Sequence, residues 1–374
     1  MRKWLNRTRA RRDAWRTAVN RWCYDRPRPE VDDLNDLRRV VFLRWDAKWG
    51  DSIIFSSVLP ALRKLDGDVL IEVITTPEMA PLFADYFGVD QVHIIRKRPS
   101  RQRIRRLAKS LGSVDLLVHF SEIMKPRDLY LAHCVGARHL ASLDDSPGLV
   151  DVKLGNVTKG LHMEDRYHEL LRRCGIHHTD KHYMVPREPV AEAAVASFLQ
   201  PRKRPYIAIN PFSKGRAKTF NVATTQALIE RTLATLPDHD VCLLTMPGCE
   251  HEVAAISARW DTDRCFYYPQ TRTIYDNVAL LARAEGQVSA STSSVHIADG
   301  VGVPSFVLFS YGPSEMSAWH SVHPLSVNLM SQPGEVNDVN RLDWQEVDRA
   351  LASFLTRVAD SPSRDRAEKA GCER

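Results

Sequence analysis

Val40 to Leu65 reads VVFLRWDAKWGDSIIFSSVLPALRKL, and the change of hydrophobic period inside it decides the fold. An apolar strand runs into Arg44, a short polar loop ends in Gly50-Asp51, and an apolar-periodic helix follows over Ser52–Leu65. Asp51 is therefore presented at a strand-to-helix turn. Open α/β sheets bind ligands in the crevice beyond the carboxyl ends of their strands, so a carboxylate here stands where chemistry is done. Asp is also a favoured helix N-cap, accepting a hydrogen bond from an orphan backbone N–H. The stretch alone leaves both roles open, and only the second half of the chain weighs them.

Outward from this turn, strand and helix alternate. Strands are expected at Val40–Trp45, Val69–Ile74, Val92–Ile95 and Leu116–Phe120, with helices at Ser52–Leu65 and Arg127–Val135. That spacing implies a parallel sheet. A helical stretch from His162 to Cys174, a polar passage from Tyr183 to Pro189 and a helix over Val190–Leu199 come next. The alternation then restarts, with strands at Tyr206–Asn210, Val241–Met246, Cys265–Tyr268, Gln287–Ala290 and Ser305–Phe309. Helices are expected between them at Val222–Thr235, Glu250–Arg259, Thr273–Ala284 and Ser294–Gly300. The expected architecture is α/β, two doubly wound domains with a cleft between them. Its parts are a basic amphipathic extension over 1–37, a first domain over 38–189 and a second over 190–342. A closing amphipathic helix over 343–357 and a polar, disordered tail over 358–374 complete the chain.

Length and composition agree with this. A chain of 374 residues suits two domains of roughly 150 to 200 residues each. A hydrophobic share of 44% with 26% charged residues is that of a globular protein, and no apolar run approaches the roughly 18 residues of a membrane span. No apolar h-region marks a secretory signal, and the seven cysteines form no CxxC pair or disulfide-like pattern. The chain reads as cytoplasmic.

The net charge of +6 is unevenly placed. Residues 1–22 carry eight arginines and lysines against one acid, interleaved with Trp4, Leu5, Trp15, Val19 and Trp22. Basic segments with tryptophan suit anionic membrane surfaces. A second basic cluster, Arg96 to Lys109, suits a negatively charged acceptor. A solvated basic face is the plainer reading of both. Nucleic acid is not expected as a partner, because neither cluster belongs to a reading motif.

The second half supplies chemistry for a phosphate-bearing ligand. Strand Tyr206–Asn210 is followed by Pro-Phe-Ser-Lys-Gly-Arg-Ala-Lys, a loop with a hydroxyl at Ser213 and cations at Lys214, Arg216 and Lys218. Farther on, Ser291-Thr-Ser-Ser-Val-His296 follows a strand and opens a helix, so N–H groups and hydroxyls converge at a helix N-terminus, a ready anion site. N-capping and a solvated loop explain each feature separately. Their joint occurrence at equivalent strand ends points to a nucleotide-type ligand. Other signals are weak: Asp261-Thr262-Asp263 matches a three-residue metal pattern but stands apart from both anion loops. His177, His178 and His182 have no partner at a familiar metal spacing. With no GxGxxG and no GxxxxGK[ST], a nicotinamide dehydrogenase or P-loop enzyme is disfavoured.

Taken in order, Leu43-Arg44, Gly50-Asp51, FSSVLPALRKL (55–65), INPFS (209–213), Ala217-Lys218, TMPG (245–248), Glu250-His-Glu252, STSSVHIADGVGVPSFVLF (291–309) and YGPS (311–314) resemble glycosyltransferase family 9, the ADP-heptose:lipopolysaccharide heptosyltransferases. The resemblance covers most of residues 38–320. It implies a GT-B fold of two Rossmann-like domains, the first binding the acceptor and the second the nucleotide sugar, with inversion at the anomeric carbon and no metal or other cofactor. By position, Asp51 matches the catalytic base and Gly50 the tight turn before it. Ser213 and Lys218 match residues that hold the donor phosphates, and Glu252 matches the acid that binds the ribose. Thr292, Ser293 and His296 fall in the donor-binding helix turn, with Lys214, Met246 and Ser291 as further donor-site candidates. The implied partners are a nucleotide sugar and a lipopolysaccharide core or other glycan acceptor at the inner face of the cytoplasmic membrane.

One departure stands out. The family writes an acid before the Thr of its last motif, and this chain has Ser291, which offers hydrogen bonds but no charge. The resemblance therefore leaves room for a different nucleotide sugar or acceptor, for a silent nucleotide- or glycan-binding relative, and for a sugar epimerase of similar fold.

Overall fold

The computed structural model describes residues 12, 15–65, 68–177, 182–260 and 263–361, which divide into two compact units, Met1–Lys181 and His182–Arg374. Most of the basic segment before residue 15, His178, Asp261-Thr262 and the tail from 362 lie outside the described residues.

The first unit opens with α1 (residues 15–24) and continues through β1 (Arg39–Arg44), α2 (Trp49–Ser56), α3 (Leu59–Leu62) and β2 (Leu70–Thr75). After a π-helical turn at Leu82–Tyr86 come β3 (Gln91–Ile94), α4 (Arg101–Leu111), β4 (Leu116–His119), α5 (Pro126–Val135), β5 (His139–Ser142), β6 (Val152–Lys153) and α6 (Met163–Arg173). All strand pairs are parallel, in the order β3-β2-β1-β4-β5-β6. β1 lies between β2 and β4 and is buried from Val40 to Arg44, as a central parallel strand covered on both faces must be. Residues 25–34 are sewn to this unit: the Asp25 carboxylate accepts from the Gly148 and Leu149 amides at 3.0 and 2.7 Å. Arg28 N donates to Gly148 O at 2.9 Å, and Leu34 N to Arg173 O at 2.7 Å.

The single helix expected over Ser52–Leu65 is two pieces, and the break has a local cause. Pro60 has no N–H to return to the Ser56 carbonyl. The Ser56 and Ser57 hydroxyls also donate to the Ile53 and Ile54 carbonyls, at 2.6 and 2.8 Å, in competition with the backbone ladder. Strands β5 and β6 were not expected, being short and polar. β5 is held instead by the Asp151 carboxylate, which takes the Leu140 amide at 2.6 Å and His139 Nδ1 at 2.9 Å.

The second unit repeats the winding. α7 (Pro189–Leu199) leads into β7 (Tyr206–Asn210), α8 (Val222–Thr235), β8 (Asp240–Leu243), α9 (Glu250–Ser257), β9 (Cys265–Tyr267) and α10 (Ile274–Leu281). β10 (Gly286–Ala290), α11 (Ser293–Val301), β11 (Ser305–Phe309), α12 (Pro313–Trp319), β12 (Val327–Met330) and α13 (Trp344–Asp360) complete it. Its sheet is again wholly parallel, ordered β12-β11-β10-β7-β8-β9. Winding thus reverses between β1 and β4 in the first sheet and between β7 and β10 in the second, and these reversals are the ligand crevices of doubly wound sheets. β12 and α12 were not expected; β12 is a half-buried edge strand whose Asn328 side chain binds the Ser321 amide at 3.0 Å.

The closing helix runs past residue 357 to Asp360, because Val358 continues the buried stripe of Val347, Leu351, Phe354 and Leu355 at helical spacing. Phe354 is fully buried with its ring 5.8 Å from Phe306 on β11. Phe354→Ala should lower the unfolding free energy of the second unit by about 3–5 kcal/mol. Urea titration followed by far-ultraviolet circular dichroism measures this, and a change below about 1 kcal/mol would mean that α13 does not anchor that core.

Candidate functional site

At the end of β1 the chain turns through Trp45–Lys48 with Ala47 in the left-handed region, φ 56°. That conformation costs a residue with a side chain roughly 1–2 kcal/mol, and such strain gathers at functional loops. Gly50 was expected to supply the tight turn; it sits instead in the first turn of α2 and is absent from the positive-φ glycines, so the turn falls on Ala47. Asp51 is not the N-cap either. Lys48 holds that position, makes no side-chain cap bond, and points its ammonium at the Asp51 carboxylate, 3.2 Å away.

Asp51 has its pKa raised above the ordinary carboxylate value. Burial is the largest cause and Asp46 adds to it, while Arg44 and Lys48 oppose them. Arg44, the last residue of β1, is buried beneath this turn. Its guanidinium lies 3.3 Å from Ser52 Oγ and 3.7 Å from an Asp46 oxygen, and its charge is retained despite burial through Asp46, Tyr167 and Asp51. Tyr167, stacked on Phe120 with centroids 3.9 Å apart, closes the floor and keeps its phenol protonated. The result is a carboxylate with raised proton affinity, carried on a helix N-terminus over a fixed positive charge. Such an environment suits a group that exchanges a proton.

In the second unit the reversal point is knitted by a residue the sequence reading passed over as a strand end. Asn210 Nδ2 donates to Ser294 Oγ at 2.9 Å, to Thr292 Oγ1 at 3.1 Å and to Ser289 Oγ at 3.4 Å. The Asn210 amide thereby ties the end of β7 to the start of α11. Thr292 caps α11 without a side-chain bond to its backbone, leaving first-turn N–H groups for an anion. Ser293 stands at the first position of that turn, and Ser291 is buried behind it with its amide on Leu308 O at 3.2 Å.

Ser213 lies in the loop after β7, where its hydroxyl accepts from Gly215 N at 3.0 Å. Lys214 is exposed in the same loop. Lys218, at the end of a 3-10 turn, forms an ion pair with Glu315 in the first turn of α12. No sequence pattern had singled out Glu315. Met246 and Glu252 belong to the segment after β8, the strand beside β7, with Glu252 exposed in the first turn of α9. Strand ends β10, β7 and β8 thus carry helix N-terminus, cationic loop and carboxylate in one row, about 4.8 Å per strand. The His296 ring is buried on α11, its Nδ1 3.9 Å from Asp299 Oδ2 and its centroid 5.9 Å from that of the Trp319 ring. Burial pushes the Asp299 carboxyl up to about 6. Among the described residues no three His, Cys, Asp or Glu side chains gather as metal ligands would.

A family model described as glycosyltransferase family 9 (heptosyltransferase) matches residues 104–346. The β1–α2 turn with Asp51 lies before that match. No curated protein sequence matches the chain. Among solved structures, a glycosyl transferase family 9 protein from Veillonella parvula is similar with a TM-score of 0.68 at 15% identity, over 87% of this chain and 99% of that one. The E. coli ADP-heptose lps heptosyltransferase II gives 0.63 at 18%, over 85% and 98%. E. coli heptosyltransferase WaaC with ADP gives 0.60 at 15%, over 84% and 99%. These likenesses show a GT-B-like fold of two Rossmann-like units.

Lys218 cannot serve an anion fully while Glu315 holds it. A half-exposed pair of this kind is worth about 0.2–1 kcal/mol, so Glu315→Gln should tighten inorganic diphosphate binding by up to about fivefold. Calorimetric titration reads this directly, and an affinity left unchanged in both Glu315→Gln and Lys218→Ala would remove Lys218 from the anion site.

Proposed function

Because the chain belongs to glycosyltransferase family 9 and is a glycosyltransferase, we propose that it transfers heptose from ADP-heptose to a lipopolysaccharide core acceptor with inversion at the anomeric carbon. The observation that carries this reading is the placement of Asp51 in the first turn of α2 at the β1 reversal point, its carboxylate 3.2 Å from the Lys48 ammonium above buried Arg44. Asp51 takes the proton of an acceptor hydroxyl as that oxygen attacks the anomeric carbon from the face opposite the leaving diphosphate. Ser213, Lys218 and the first-turn N–H groups of α11 carry the charge that grows on the departing ADP, in place of a metal. Glu252, on the neighbouring strand end, takes the ribose hydroxyls. The basic helix α4, with Arg103 and Arg106 exposed, faces the carboxylates and phosphates of such an acceptor at the inner face of the cytoplasmic membrane.

Ser291 favours one second reading, a family member with another nucleotide sugar. A serine in place of the family's acid brings no charge to the donor sugar, and here it is buried behind the anion turn. Melting curves with ADP, UDP, GDP and CMP separate the two. A ligand at about 100 times its Kd adds roughly 2.7 kcal/mol, enough to displace the curve. Selective stabilisation by ADP supports the heptosyl donor; selective stabilisation by another nucleotide replaces it.

Asp51→Ala should lower turnover by about 10²- to 10⁴-fold while ADP affinity stays as in the parent; normal turnover would mean that another group is the base. The base acts ionised, so kcat/KM falls as pH drops through the Asp51 pKa, at a midpoint above the ordinary aspartate value. Lys48 favours the ionised form. Lys48→Ala should therefore move this acid limb to higher pH, and a shift to lower pH, or none, would dissociate the limb from Asp51.

A further inference from the structure

The two basic clusters, some 80 residues apart in the sequence, are joined in the fold. Tyr24 at the end of α1 packs its ring edge on Tyr130 of α5, with centroids 4.9 Å apart. Arg101 of α4 places its guanidinium over both rings, 5.5 Å from Tyr24 and 5.2 Å from Tyr130, and Arg105 lies 5.9 Å from Tyr130. Side chains of α1 and α4 therefore share one cation–aromatic cluster, on the side of α1 that packs into the unit.

The opposite face of α1 is apolar and uncovered. Trp15, Val19 and Trp22 recur at i, i+4 and i+7, which is one side of a helix, while Asn20 and Tyr24 turn the other way into the unit. Trp15 is 68% and Trp22 82% exposed, and these are the exposed tryptophans among the described residues. Isolated exposed apolar residues are ordinary, but two indoles on one face leave about 150–250 Å² of apolar surface each in water. Exposed Arg12 and Arg16 border them. An indole stripe flanked by guanidinium groups matches the boundary of an anionic bilayer, where rings enter the headgroup layer and cations meet phosphates.

We propose that the exposed tryptophan face of α1, with the bordering Arg12 and Arg16, forms a docking surface for an anionic lipid bilayer. The inference rests on the membrane placement proposed above and names the surface that achieves it; it does not depend on the donor sugar. Binding is reversible and salt-sensitive, because the charged part of the surface is screened within about 10 Å at 0.1 M salt. It brings the enzyme to an acceptor that is itself anchored in the leaflet.

The test is cosedimentation of the full chain with vesicles of phosphatidylglycerol and phosphatidylcholine in equal parts, against phosphatidylcholine alone, with tryptophan emission as second readout. The parent protein should bind the anionic vesicles, shift its emission to the blue and come off in high salt. Trp15→Ser with Trp22→Ser should weaken binding at least about tenfold and remove the shift. Arg16→Gln should weaken binding about fivefold, the weight of one cation at such a surface. Unchanged melting curves show that these surface variants fold. Equal binding to neutral vesicles, no binding at all, or binding indifferent to the tryptophan pair would overturn the proposal. So would a dimer in lipid-free sedimentation that the tryptophan pair dissolves, since a second copy would then be the occupant. Loss of the ADP-induced melting shift with vesicle binding intact would instead strike the donor reading and leave the surface standing.

Discussion

β1 accepts parallel partners on both sides, β2 on one and β4 on the other, and the rest of the first unit follows from that placement. Crossovers between parallel strands are right-handed, so helices that wind outward in opposite directions from a central strand must lie on opposite faces of the sheet. The carboxyl end of that strand is then left without a crossover of its own above it. A ligand can reach only what the chain puts at this end, and the chain puts Ala47, Lys48 and Asp51 there. β7 repeats the constraint in the second sheet, flanked by β8 and β10, and puts the Ser213–Lys218 loop beside the start of α11.

Electrostatics complete what topology begins. Burying a carboxylate raises its proton affinity, and full burial with no compensation would favour the protonated form of Asp51. Arg44 and Lys48 oppose that rise, so the two cations limit what burial imposes on the carboxylate. At the second reversal the same currency works with opposite sign. Lys218 spends its charge on Glu315, and α11 offers N–H groups that no side chain has capped.

The segment ahead of β1 shows how far local sequence can mislead about attachment. Its composition suggests a solvated basic face, yet Asp25, Arg28 and Leu34 fasten residues 25–34 to the β6 side of the first unit and to the end of α6. With its base fixed in this way, α1 presents its tryptophans at a defined place on the molecule. An arm without that fastening would offer them in every direction, at a larger entropic cost for any bound state.

The sequence by itself determined both sheets' central strands and the loops that follow them. β7, α8 and β11 appear where hydrophobic period and punctuation put them, and Asp51, Ser213 and Thr292 stand at strand ends as their flanking runs require, because period and turn chemistry are local. It could not reveal β5, β6 and β12, which are short, polar or half-exposed and owe their conformation to ladder partners and to side chains such as Asp151 and Asn328. Nor could it reveal that Ala47 rather than Gly50 makes the tight turn, that His296 is buried against Asp299, or that Asn210 ties two distant loops together. Glu315 and Arg101 belong to the same class, each finding its partner, Lys218 or Tyr24, only across some 80 to 100 residues of chain. Local pattern decides which segments pair and where ligands are met; which charges and rings then touch is decided only when the sheets have closed, since such contacts leave no period in the chain.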